Sequence, residues 1–236
     1  MPIFDGCVEE IERAYDQLGY DLGWRFLSVS RAVLEGQVKI AFVTLNPGGN
    51  QIPVDHPTAS CENGPSYLVE RWRGKPPGQA PLQVQVQKLF QGLANQMGFQ
   101  AGSEGLMERS LIGHYIPFRS PRFEDLPHQE EGIAVGRLVW GRLLRHVRPR
   151  LVICLGRKVQ SELRILLHHE LNGIQRNTQS LPSGWGDMEI DIDTYESSGQ
   201  VMRLLYLPHL STFKLFSRDN CKDPMNAVLG AATEGF

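Results

Sequence analysis

The sequence predicts an α/β chain with a parallel central sheet and helices on both faces. Three observations carry that expectation: four apolar segments of strand length, amphipathic helical segments between them, and turn-forming residues at the strand exits. Parallel neighbours need long connections, and a helix in such a connection packs back onto the sheet. At 236 residues the chain is long enough for one sizeable core and short for two, so a single domain over 1–236 is expected.

Residues 5–20 place Cys7, Val8, Ile11, Tyr15 and Leu18 at helical spacing, with Gly19 as the stop. The β-branched run 38–45 reads as a strand ending at Asn46-Pro47-Gly48-Gly49, a turn signal. Residues 46–81 are rich in Gly and Pro and read as a long functional loop with a short helix near 65–72. Val84, Val86, Leu89, Phe90, Leu93 and Met97 give an amphipathic helix closed by Gly98. A second strand is expected at 109–116, a helix at 133–146 and a doubly buried strand at 151–156. A helix at 159–169, strand character at 188–192, a last strand at 201–207 and a short helix at 225–232 complete the reading.

Composition excludes several classes. No tract is long enough to span a bilayer, and Met1-Pro2-Ile3-Phe4-Asp5-Gly6 has no basic segment followed by an apolar one, so a cytoplasmic protein without a membrane partner is expected. Cys7, Cys61, Cys154 and Cys221 form no CxxC pair, which argues for free thiols over a metal site. The net charge of -2 is uninformative about nucleic acid, but Arg137, Arg142, Arg145, Arg148, Arg150, Arg157 and Lys158 form a run without one acid. That run reads either as a binding surface or as a solvated helix face.

Ligands of parallel sheets bind beyond the strand carboxyl ends. Three exits are chemically rich: Asn46-Pro47-Gly48, His114 to Phe118, and His209-Leu210-Ser211. The glycines let backbone approach a ligand, and the Asn46 amide can orient a water or meet a base edge. An imidazole at His209 can donate to an oxygen that gains negative charge. Taken singly, a plain turn and a structural histidine explain the same residues. Phe213 reads as an apolar wedge or a core anchor, and Tyr115 and Phe118 as base-stacking or buried rings.

In this order, Thr44-Leu45-Asn46-Pro47-Gly48 and His209-Leu210-Ser211-Thr212-Phe213 resemble the two motifs of the uracil-DNA glycosylase superfamily, in its mismatch-specific and single-strand-selective branches. The resemblance covers about residues 36–218. It implies a three-layer α/β/α sandwich around a mainly four-stranded parallel sheet, and a DNA-repair glycosidase that flips a deaminated base and hydrolyses its N-glycosidic bond without metal or cofactor. It implies that Asn46 positions the attacking water and that His209 hydrogen-bonds the leaving base. The base would lie against Leu45, Pro47, Gly48, His114, Tyr115 and Phe118. Ser211, Thr212, Phe213, Lys214, Arg119 and Arg218, with Arg122 beside them, would meet DNA, single-stranded or mismatched, with Phe213 as the intercalating side chain. A monomer is expected, and the scattered cysteines leave no place for an iron–sulfur cluster.

Three departures matter. Thr44 stands for the first motif's Gly, Leu210 for the second motif's Pro, and Gly113-His114-Tyr115 occupies the strand where the family offers an Asn. They favour the competing reading, a non-catalytic nucleic-acid- or nucleotide-binding member of the same fold. An unrelated nucleotide-binding protein is weaker, for lack of a Gly-x-Gly-x-x-Gly or Walker loop.

Overall fold

The chain alternates helix and strand through most of its length, and the computed structural model describes residues 2–236. In order the elements are α1 (Ile3–Gln17), β1 (Ile40–Thr44), α2 (Ser66–Val69), α3 (Pro81–Gln96), α4 (Gly102–Glu108), β2 (Leu111–His114) and α5 (Gln129–Val147). There follow β3 (Leu151–Leu155), α6 (Arg157–His169), β4 (Ile174–Pro182), β5 (Glu189–Ser197), β6 (Gln200–Leu207), α7 (Leu210–Phe213) and α8 (Asp219–Ala232). One six-stranded sheet runs β2-β1-β3-β6-β5-β4. Its first four strands are parallel, and β5 and β4 extend it as an antiparallel hairpin.

The parallel part matches the four strands read from the sequence; the expectation of a sheet of only four is corrected to six. Every residue of β1 and β3 is buried, as their unbroken apolar sequences require. β4, Ile174–Pro182, is exposed throughout except at Leu181. An edge strand buries neither face deeply and carries no apolar alternation, so residues 174–182 left no signal. β5 also runs beyond 188–192, to Ser197.

α1 packs on α5 and α5 on α6, while α3 packs on α2, α4, α7 and α8. The two groups cover opposite faces of the sheet. On the α3 side, Phe42 of β1 meets the rings of Tyr67 and Phe90 edge-on at 5.7 and 6.0 Å. On the other side, Gly136 brings α5 down onto the chain leaving β2. A Cβ there would lie 2.5 Å from the Tyr115 carbonyl oxygen and 2.9 Å from its ring. Backbone cannot yield as a flexible side chain would, so Gly136→Ala is expected to destabilise by about 1–3 kcal/mol despite its better helix propensity. Chemical denaturation checks this as a lower midpoint at unchanged slope.

No helix is long and apolar enough to cross a membrane. The cysteines are free and buried.

Candidate functional site

The sheet order creates a crevice before any side chain is considered. From β1 the chain crosses to β2 on one side, and from β3 it moves towards β6 on the other. β1 and β3 are neighbours whose exits diverge, so a cleft opens above their carboxyl ends. Asn46-Pro47-Gly48 leaves β1 into that cleft, and Gly156, at φ 96, turns the chain from β3 into α6. A Cβ on Gly48 or Gly156 would meet nothing within 4 Å, so both glycines border open space.

The β1 exit is tied to the β2 exit by backbone. Tyr115 N–H donates to Thr44 O at 2.7 Å, Ile116 N–H to Leu45 O at 2.8 Å, and Ser120 N–H to Pro47 O at 3.2 Å. Asn46, half-buried, donates through Nδ2 to Ser120 Oγ at 2.8 Å and to Pro47 O at 3.3 Å. Ser120 in turn donates its hydroxyl proton to Arg122 O at 2.8 Å. The serine oxygen is therefore an acceptor for Asn46, which settles the orientation of the amide: nitrogen towards Ser120, Oδ1 free as an acceptor.

His114 ends β2 with Nδ1 2.7 Å from Thr44 Oγ1. Burial of the ring, reinforced by the positive charges of Arg25 and Arg119, pushes its pKa well below the ordinary 6.5. His114 is neutral at physiological pH. Arg119 donates to Gly48 O and lies against Gly49, so the motif loop is buttressed by a cation.

His209 follows β6 and is exposed at the start of α7, with Nδ1 2.8 Å from Ser211 Oγ. Partial shielding of the imidazole and the charge of Arg73 lower its pKa from 6.5. One strand, β3, separates β6 from β1, so His209 and Asn46 leave the sheet on opposite sides of the β3 exit.

No protein-family model matches the chain, and no curated protein matches it.

Several predicted site residues lie elsewhere than expected. Tyr115 and Phe118 are fully buried: Phe118 stacks on Tyr20 at 4.2 Å, and the Tyr115 hydroxyl donates to Glu162 at 3.2 Å. Neither ring is available to a base, because the chain beyond β2 turns under α1 and α5. Pro47 is buried and Leu45 half-buried, each offering backbone to the cleft wall. Phe213 is half-buried, its ring 5.9 Å from and perpendicular to Trp185. One edge of the ring is thus held by a neighbour while part of the side chain stays exposed. Arg218 lies 3.5 Å over the Trp185 ring and donates to Phe213 O at 3.2 Å, while Arg122 pairs with Asp125 at 3.0 Å. Thr212 and Lys214 are exposed beside His209, and the Ser211 hydroxyl is engaged by His209.

Three of the seven residues of the basic run are paired with acids: Arg137 with Glu162, Arg145 with Glu170 and Arg157 with Asp191. Arg142 and Arg150 keep their charge and donate to backbone carbonyls.

One site element escaped the sequence reading. Arg25, buried, forks onto Glu70 with contacts of 2.9 and 2.5 Å. Glu70 also accepts from Trp72 Nε1 at 2.8 Å, and His56 lies 3.7 Å from it. The available signal was an arginine set among Trp24, Phe26 and Leu27, a charge inside an apolar run. Among the described residues no three His, Cys, Asp or Glu side chains gather to hold a metal ion. A cavity of about 980 Å³ lies at the opposite end of the sheet, bordered by Lys39, Ile40, Phe99 and Arg109, away from these groups.

Proposed function

We propose that the chain is a DNA glycosylase of the uracil-DNA glycosylase type, hydrolysing the N-glycosidic bond of a deaminated base in a flipped nucleotide. The carrying observation is the Asn46 amide, whose oxygen the Ser120 relay leaves free at the crevice between β1 and β3. A water donating to Asn46 Oδ1 is oriented for attack at C1′. Its oxygen bonds to C1′ as the C1′–N bond breaks, the bonding pair leaves with the base, and the water's released proton ends on that base.

The leaving base carries negative charge on its carbonyl oxygens. With Ser211 donating to His209 Nδ1, the neutral ring carries its proton on Nε2 and presents a donor across the β3 exit from Asn46. Arg119, whose charge bears on His114 and which holds no acid, favours a base edge that presents a carbonyl oxygen, as uracil, xanthine and hypoxanthine do. Such a base forfeits few pairing interactions when it is already mismatched or unpaired.

The test is incubation of the protein with labelled oligonucleotides containing uracil, hypoxanthine, xanthine or mismatched thymine, followed by alkaline cleavage. Strand scission at one of these bases supports the reading. Salt-sensitive binding without scission replaces it with the non-catalytic alternative.

The same assay reads the histidine. His209 is neutral above its lowered pKa; the ring that gains a proton keeps its Nε2 donor and adds positive charge, so kcat/KM is expected to be flat above pH 6.5 and to rise as pH falls through the lowered pKa. His114 titrates lower still and does not set that limb. His209→Gln keeps a donor without a titration; it should lower the plateau by about 10²-fold and remove the limb.

A further inference from the structure

The segment Glu70-Arg71-Trp72-Arg73-Gly74-Lys75-Pro76-Pro77-Gly78 takes no part in the chemistry above. It is a closed loop. Gly78 N–H donates to Glu70 O at 3.2 Å, and Lys75 N–H to Trp72 O at 3.0 Å. From α3, Gln83 donates to Glu70 O at 2.9 Å and Gln87 to Gly78 O at 2.7 Å, which fixes both ends. Inside, Trp72 packs edge-on against buried Tyr67 at 5.1 Å and hangs from the Glu70 carboxylate, itself gripped by Arg25.

This rigid frame displays three cations within five residues. Arg71, Arg73 and Lys75 are exposed, and none has an acid within ion-pair distance among the described residues. Arg137, Arg145, Arg157, Arg164 and Arg176 each hold one; Arg31 and Arg109, near the opposite end of the sheet, also hold none, but no braced loop gathers them with a third cation within five residues. Arg73 sits at φ 53, a left-handed conformation that residues with a side chain rarely adopt. Its charge reaches His209, and Lys214, five residues further along the chain from His209, is also exposed. Like charges confined to a braced loop repel each other, and no internal anion offsets them. A ligand with several regularly spaced negative charges does.

We propose that the loop 70–78 is a phosphate clamp, in which Arg71, Arg73 and Lys75 grip the backbone of the DNA strand beside the nucleotide held between Asn46 and His209. The clamp rests on the glycosylase reading and adds a binding surface to it. Trp72, Glu70 and Arg25 act as positioning residues that hold the cations outward without touching DNA.

The experiment measures binding of a single-stranded DNA oligonucleotide of about 15 residues across a salt series. It compares the unmodified protein with Arg71→Gln/Arg73→Gln/Lys75→Gln and with Arg31→Gln/Lys39→Gln/Arg109→Gln. The second variant removes the same charge from exposed positions near the opposite end of the sheet. Each phosphate contact contributes about 0.7 to the slope of log affinity against log salt for a single strand, so the clamp variant should lose about 2 from that slope. The control should keep it. An unchanged slope in the clamp variant, or an equal loss in the control, overturns the clamp while leaving the glycosylase reading to its own cleavage test. Failure of the unmodified protein to bind any oligonucleotide overturns both. Unchanged circular dichroism and Tm in both variants exclude misfolding as the cause.

Discussion

Asn46→Ala should abolish base release while leaving the fold in place. Removing the group that orients an attacking water is worth about 10²–10⁴-fold in rate. The structural cost is small, since Asn46 is half-buried and gives up two hydrogen bonds at the surface end of a strand, about 1 kcal/mol net for each. Single-turnover cleavage and thermal melting separate the two effects. A large fall in Tm with proportionate loss of activity would mark Asn46 as a structural turn residue. Ser120→Ala sharpens the experiment. It leaves Asn46 present but removes the nearer of the two acceptors of its amide nitrogen, so that only the longer bond to Pro47 O holds the amide. An intermediate rate loss with little change in KM is expected, because substrate contacts remain and only the water's orientation suffers.

That relay illustrates what a sequence can convey. The strands of the parallel sheet were legible because 40–44 and 151–155 are buried on both faces and had to be apolar without interruption. The turn at Asn46-Pro47-Gly48 was legible because Pro and Gly directly after such a strand mark a sharp exit of the backbone. Ser120 was not, for it lies 74 residues away and is joined to Asn46 only by the pairing of two strand exits. Phe118 shows the reverse error. An aromatic residue near a strand exit looks the same in sequence whether it faces a ligand or a neighbouring ring, and Phe118 faces Tyr20. The basic run stayed ambiguous for a related reason: the acidic partners of Arg137, Arg145 and Arg157 are Glu162, Glu170 and Asp191, on later elements that folding brings alongside. Charge counted along the chain is not charge displayed at the surface.

The largest effect on stability is expected at Glu70. Its carboxylate and the Arg25 guanidinium are both almost shut off from solvent, with side chains 6% and 4% exposed. Burial alone would raise the Glu70 pKa, but hydrogen bonds and charge from Arg25, with Trp72 and His56 behind them, outweigh it and hold the carboxyl below its ordinary 4.5. Glu70→Gln leaves Arg25 buried without a counter-charge, a change that costs about 3–5 kcal/mol in comparable pairs. Arg25→Met should cost a similar amount through Glu70. The double variant Arg25→Met/Glu70→Leu removes both charges and should recover most of the loss, because two well-packed apolar side chains carry no desolvation penalty. The coupling appears as non-additivity in a double-mutant cycle. Acid should weaken the unmodified protein in the same place. A carboxyl with a depressed folded pKa contributes stability fully above its unfolded value and loses it as pH falls through the folded one, so this contribution is present at pH 7 and declines below about pH 4.5. Glu70→Gln has no carboxyl to protonate and should show a shallower fall in that range. Equal acid slopes in the two proteins would place the acid-sensitive carboxylates elsewhere, and an additive cycle would show that Arg25 and Glu70 are neighbours without being partners.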